Sequence, residues 1–111
     1  MANDMDKETK AKISKLQILE QRIQSLIMQK QNFQSQTLEI ENALGEIGDA
    51  KETYKIVGNV MVSVDRNELK KDLTSKKEIA DLKLKNIEKE EKKLRGEAEE
   101  LQKEVMGSLR K

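Results

Sequence analysis

From Leu16 onward, apolar side chains recur in alternating steps of three and four residues. The series is Leu16, Leu19, Ile23, Leu26, Lys30, Phe33, Thr37, Ile40, Leu44 and Ile47, and only Lys30 and Thr37 break it. This is the heptad pattern of a helix with one narrow apolar stripe, which needs a second helix to cover it. The chain has no proline, so nothing forbids a long uninterrupted helix. The spacing predicts a helix over about 5–48. Gly45 marks possible fraying, and Gly48 is the better stop, since glycine accepts the left-handed conformation that ends many helices.

A second seam occupies the other half of the chain. It runs Leu73, Lys77, Ala80, Leu84, Ile87, Glu91, Leu94, Ala98, Leu101, Val105 and Ser108, with Lys77, Glu91 and Ser108 as polar interruptions. Asp65 and Glu68 stand three apart, the spacing of a capping box, and predict a helix start at about Arg66. The helix should extend over 66–109 and tolerate Gly96 at a cost of about 1 kcal/mol relative to alanine. The polar interruptions either fix the register, loosen the coil, or are solvated positions tolerated within it. The last is the plainest reading.

Between the two seams the period changes from helical to alternating. Thr53–Val57 and Val60–Val64 are rich in β-branched residues, and only Gly58 and Asn59 separate them. A two-residue Gly-X loop suits a type II′ hairpin over 53–64. Its register would put Val57 opposite Val60 and Ile56 opposite Met61. One face then carries Val57, Val60, Val62 and Val64, and the other Tyr54, Ile56 and Met61. A lone hairpin is marginal in water, and this one has two apolar faces and two open edges. Unless it serves only to reverse the chain, it calls for other chains. The whole 1–111 segment thus reads as one mainly α domain. It is a long antiparallel two-helix coiled coil joined by a single β-hairpin, each helix ~60 Å long at ~1.5 Å per residue.

Composition narrows the function. Charged residues make up 39%, and Phe33 and Tyr54 are the only aromatics. That suits long solvated helices rather than a compact globule. There is no cysteine and no histidine, so there is no thiolate nucleophile or Cys-ligated zinc, and the commonest general base and metal ligand are missing. We therefore expect no enzyme, cofactor or metal site. The net charge is +1, and the Lys92, Lys93 and Arg95 group is surrounded by acids without aromatics for stacking, so no nucleic-acid partner is expected. No apolar run approaches a membrane span and no signal-peptide pattern opens the sequence, which points to no membrane partner and a cytoplasmic protein.

The hairpin stretch Tyr54-Lys55-Ile56-Val57-Gly58-Asn59-Val60-Met61-Val62, followed by the polar helix start Asp65–Glu68, resembles the prefoldin family, in its beta-type subunits. The order helix, one hairpin, helix matches over nearly the whole chain. The resemblance implies a molecular chaperone subunit, without ATP hydrolysis. Two alpha-type and four beta-type subunits would join their hairpins into an oligomeric β-barrel. The distal ends of the coils would bind non-native polypeptides, prevent their aggregation and deliver them to a group II chaperonin. The assembly residues would then be Tyr54, Ile56, Val57, Gly58, Asn59, Val60, Met61, Val62 and Val64. Client contact would fall to apolar residues at the chain's two ends: Met1, Met5, Ile13, Ile18, Val105, Met106 and Leu109. Methionine suits such a surface because its flexible thioether repacks against many shapes. Ile13 and Ile18 alternatively only widen the seam. A structural tether or adaptor that dimerises through its hairpin is the competing reading.

Overall fold

The computed structural model describes residues 6–110. Four elements follow one another: α1 (Lys7–Ile47), β1 (Thr53–Val57), β2 (Val60–Val64) and α2 (Arg66–Leu109). The mainly α class, the single hairpin and all four elements agree with the sequence reading. Met1 and Met5 lie outside the described residues.

Both helices begin at an aspartate. The Thr9 amide donates to the Asp6 carboxylate at 2.7 Å, and the Glu68 amide donates to the Asp65 carboxylate at 3.1 Å. Each bond satisfies an amide that the first helical turn leaves without a partner. The end of α1 departs from expectation. Gly58 is the one residue at positive φ among those described, so Gly48 does not take the left-handed conformation. Around the end of α1 the carbonyls find other donors. The Ala50 amide reaches the Ile47 carbonyl at 3.3 Å, and the Lys70 ammonium reaches the Gly48 carbonyl at 3.1 Å.

The chain divides into two compact units. One holds the chain up to Lys30 together with Asn86 onward. Here Leu19, Ile23 and Leu26 of α1 are buried, as are Ile87, Leu94 and Val105 of α2. The helices are antiparallel, since Lys12 pairs with Glu104 at 3.5 Å while Arg22 pairs with Glu90 at 3.1 Å. The α1 stripe starts a heptad earlier than its apolar residues do, with Thr9 buried and Lys12 half-buried. Ser108, expected on the α2 seam, is exposed instead. A serine hydroxyl gains nothing from burial without a hydrogen-bond partner.

The interruptions Lys30 and Glu91 are not solvated. They meet across the two helices at 2.9 Å, and Glu91 keeps only 12% of its side chain exposed. Arg95, one turn further along α2, reaches the second carboxylate oxygen at 2.9 Å. Two donors thus lower the Glu91 pKa from the ordinary carboxylate value: first the Lys30 bond, then the Arg95 bond.

The second unit comprises Gln31–Lys85. Ala80 is buried, and Phe33, Ile40, Leu44, Leu69, Leu73 and Leu84 are half-buried around the local seam. Lys77, another interruption, turns its ammonium to Glu41 at 3.3 Å. Lys83 lies over the Phe33 ring at 5.4 Å from its centroid, within cation–π range. The fourth interruption, Thr37, leaves its hydroxyl oxygen buried without a partner.

Candidate functional site

The hairpin is the first candidate surface. Strands β1 and β2 pair antiparallel in the register Thr53↔Val64, Tyr54↔Ser63, Lys55↔Val62, Ile56↔Met61 and Val57↔Val60. Paired residues project to the same side of a sheet. One face therefore carries Val57, Val60, Val62 and Val64 beside Thr53 and Lys55. The other carries Tyr54, Ile56 and Met61 beside Ser63. This is the division expected from the alternation.

Gly58 has φ +61°, while Asn59 is not at positive φ. A positive φ at the first central position alone is the mark of a type II′ turn, whose twist matches that of the strands. A side chain at Gly58 would meet no neighbour, so backbone conformation alone calls for glycine there. At the open end of the hairpin, the buried Thr53 hydroxyl donates to the Val64 carbonyl at 2.7 Å. Tyr54 donates its phenol to Glu52 at 2.7 Å, which raises the phenol's pKa because the bond favours its protonated form.

What these strands lack is cover. Ile56 is 72% exposed, Met61 65% and Val60 60%, and Val57, Val62 and Tyr54 are exposed with them. Burying one such aliphatic side chain is worth about 1.5–3 kcal/mol. Both edges of the two-stranded sheet also present unpaired backbone groups. The arrangement is suited to adding strands and packing apolar faces.

The second candidate surface lies on the unit built from the two chain ends. The sequence-expected contact residues divide there. Ile18, Met106 and Leu109 are exposed, Ile13 is half-buried, and Val105 is buried on the seam. Met106 and Leu109 stand three apart, so they share one side of α2. Ile13 and Ile18 are five apart, about 140° around a helix at ~3.6 residues per turn, so Ile13 borders the α1 stripe while Ile18 stands on the far side of the helix. The structure therefore joins Met106 to Leu109 but does not gather all these residues into one patch. Val105 is reached only by opening the seam.

Four polar residues with structural roles escaped the sequence reading. Thr9 and Lys12 continue the heptad spacing, but their types hide them in a search for apolar positions. Arg66 and Lys70 brace the end of α1, with the Arg66 guanidinium on the Ala50 carbonyl at 3.1 Å. No local sequence signal marks that brace: α1 has no basic residue in its last turn, and the donors stand sixteen and twenty-two residues away. Among the described residues no group of three or more His, Cys, Asp or Glu could hold a metal ion. No helix among them is long and apolar enough to cross a membrane.

Comparison with known proteins gives three findings. The family model described as "Prefoldin subunit" matches residues 10–111. The prefoldin subunit beta of Saccharolobus islandicus (strain L.S.2.15 / Lassen #1) is 32% identical over 114 aligned positions, covering 100% of this chain and 90% of that protein. The prefoldin subunit beta of Caldivirga maquilingensis is 31% identical, covering 95% and 89%. Among solved structures, the prefoldin beta subunit from Thermococcus strain KS-1 superimposes with a TM-score of 0.87 at 29% identity, covering 100% of this chain and 99% of that one.

Proposed function

Since the chain belongs to the prefoldin family and is a beta-type chaperone subunit, we propose that it works by joining other subunits through its hairpin and gripping non-native polypeptides with the ends of its helices. The observation that carries this reading is the hairpin's bareness: apolar side chains exposed on both faces, above two open edges. Such a surface gains most from strands and side chains of further subunits. An alpha-type prefoldin subunit is the partner, in a hexamer of two alpha and four beta chains with a β-barrel built from the hairpins.

Client contact falls to Ile13, Ile18, Met106 and Leu109, with Val105 beneath them and Met1 and Met5 on the segment outside the described residues. Each contact is weak and non-specific. Several coils gripping one chain convert weak contacts into a useful hold. Delivery goes to a group II chaperonin in the cytoplasm, with no nucleotide hydrolysed by this subunit.

The native mass of the chain recovered from its own host tests the assembly. A particle with four copies of this chain and two of a larger, related one is expected. A homodimer, or a stable pair with an unrelated protein, would overturn it in favour of a tether. Client contact is tested by replacing Ile13, Met106 and Leu109 together with serine. Suppression of client aggregation should be lost while the particle keeps its mass. Undiminished suppression would remove client binding from these residues.

A further inference from the structure

The end of α1 has an unusual finish. A helix leaves its last four carbonyls without partners, and they form the negative end of its dipole. Here neither usual remedy is present: Gly48 is not left-handed, and no basic residue lies in the last turn. Just past its last residue, Ile47, the chain instead receives donors from the first turns of α2. The Lys70 ammonium bonds the Gly48 carbonyl at 3.1 Å, and the Arg66 guanidinium bonds the Ala50 carbonyl at 3.1 Å. Both side chains are partly buried where they do so. A cationic donor makes a hydrogen bond stronger than a neutral one does.

The position of these bonds matters more than their number. Ala50 lies on the segment that enters β1, and Arg66 is the first residue of α2 after β2. The Arg66 bond therefore closes a neck around the whole hairpin. Directly above it, the Thr53 hydroxyl bonds the Val64 carbonyl at 2.7 Å across the two strands. The bare faces of the hairpin can be buried by neighbours only when it is aimed at them, and a loose neck would let it swing.

We infer that Arg66 and Lys70 are positioning residues for assembly, pinning the neck so that the hairpin is presented in one orientation to neighbouring subunits. The inference rests on the assembly role proposed above and adds the residues that aim the hairpin. They act through the backbone of Gly48 and Ala50.

The test uses the full chain with the alpha-type subunit of its own host. In Arg66→Met/Lys70→Met, helix content should stay unchanged. Hydrogen exchange of the isolated variant should accelerate at the Ala50–Thr53 amides, and the concentration for half-assembly should rise about tenfold, equivalent to ~1.4 kcal/mol. Lys70→Arg, which keeps a cationic donor, should assemble as the unaltered chain does. Lys71→Met/Lys85→Met removes the same charge from exposed sites of α2 and should change neither readout. Should the double variant lose helix content, Lys70→Met alone is expected to show the same two effects at smaller amplitude.

Assembly of the Arg66/Lys70 variant at the unaltered concentration would overturn the positioning role alone. So would an equal shift in the Lys71/Lys85 variant, which would make the effect one of net charge. Failure of the unaltered chain to assemble at all would overturn the assembly reading and this role with it.

Discussion

The helical seams and the hairpin use the same side chains to opposite ends. Leu19, Ile23, Leu94 and Val105 are buried, whereas Ile56, Val57, Val60 and Met61 are bare. The seams find their partner within the chain, because two helices of nearly equal length carry complementary stripes. Among the described residues the hairpin has no second layer to pack against. One apolar set thus holds the subunit together, while the other is left uncovered, as the proposed contacts between subunits require. A protein that separates the two in this way can lose either property alone.

That separation can be broken first at the hairpin. Ile56→Glu with Met61→Lys places opposite charges on directly opposed strand positions, so the pair itself remains compatible with the hairpin. Assembly with the alpha-type subunit should be abolished, as judged by native mass. The unfolding free energy of the isolated chain should change by less than about 0.5 kcal/mol, as usual for exposed sites. Unfolding of the isolated variant would show that the hairpin also carries the subunit's own stability.

The reverse experiment is the next largest. Leu19→Ala or Leu94→Ala should cost about 2–4 kcal/mol in denaturant unfolding of the isolated chain, through lost burial and the cavity left behind. The folded variant should still assemble at temperatures below its transition. Leu82→Ala, at a residue 60% exposed, is the matched control and should cost less than about 0.5 kcal/mol. Equal losses at Leu19 and Leu82 would mean that the seam is not the source of stability.

How far the sequence revealed each region follows from the same contrast. The hairpin register was legible because strand alternation has period two and a Gly-Asn loop leaves no room to slip. The α2 bounds were legible because Asp65 announces its helix. The neck was not legible, since Arg66 and Lys70 act on backbone carbonyls sixteen and twenty-two residues away, and no local pattern encodes that. The Lys30–Glu91 contact was hidden for a related reason. Each residue alone looks like a flaw in its own seam, and only the pairing of two distant seams makes them partners. The proposed client-contact residues are the least legible, because a surface for unfolded chains would need apolar exposure and no fixed geometry.

Smaller effects sharpen the account of the helices. Gly96 lies within α2 and nothing stands within 4 Å of where its Cβ would be. Gly96→Ala should therefore stabilise the chain by about 1 kcal/mol, as helix propensity alone dictates. Thr37→Val removes a buried hydroxyl without a partner and should raise stability by about 1 kcal/mol. Both are read from denaturant midpoints at unchanged slope. A loss of stability in Gly96→Ala would mean that the glycine serves a bend in the helix, and a loss in Thr37→Val that its hydroxyl is bonded in solution.

The smallest effect depends on pH and concerns the charged layer of Lys30 and Glu91. The Lys30 and Arg95 bonds hold the Glu91 carboxyl below its ordinary value of 4.5, so folding favours the ionised form. The stability this contributes is fully present above that value and is lost as the pH falls through the lower folded-state value. Thermal unfolding followed from neutral pH downward should show the original chain more stable than Glu91→Gln at pH 7. The two curves should converge in acid, as the carboxyl becomes protonated in the folded chain as well. Parallel curves would mean that the carboxylate is not charged in its bonded state. Lys30→Met with Glu91→Leu should remove this pH dependence and keep neutral-pH stability, because an apolar layer replaces an ion pair whose desolvation offsets much of its attraction. That double variant asks whether the charged layer supplies stability at all. If it unfolds more readily than the original chain at every pH, the bonds from Lys30 and Arg95 stabilise the coil by more than an apolar layer does, and the seam is not held by its hydrophobic stripe alone.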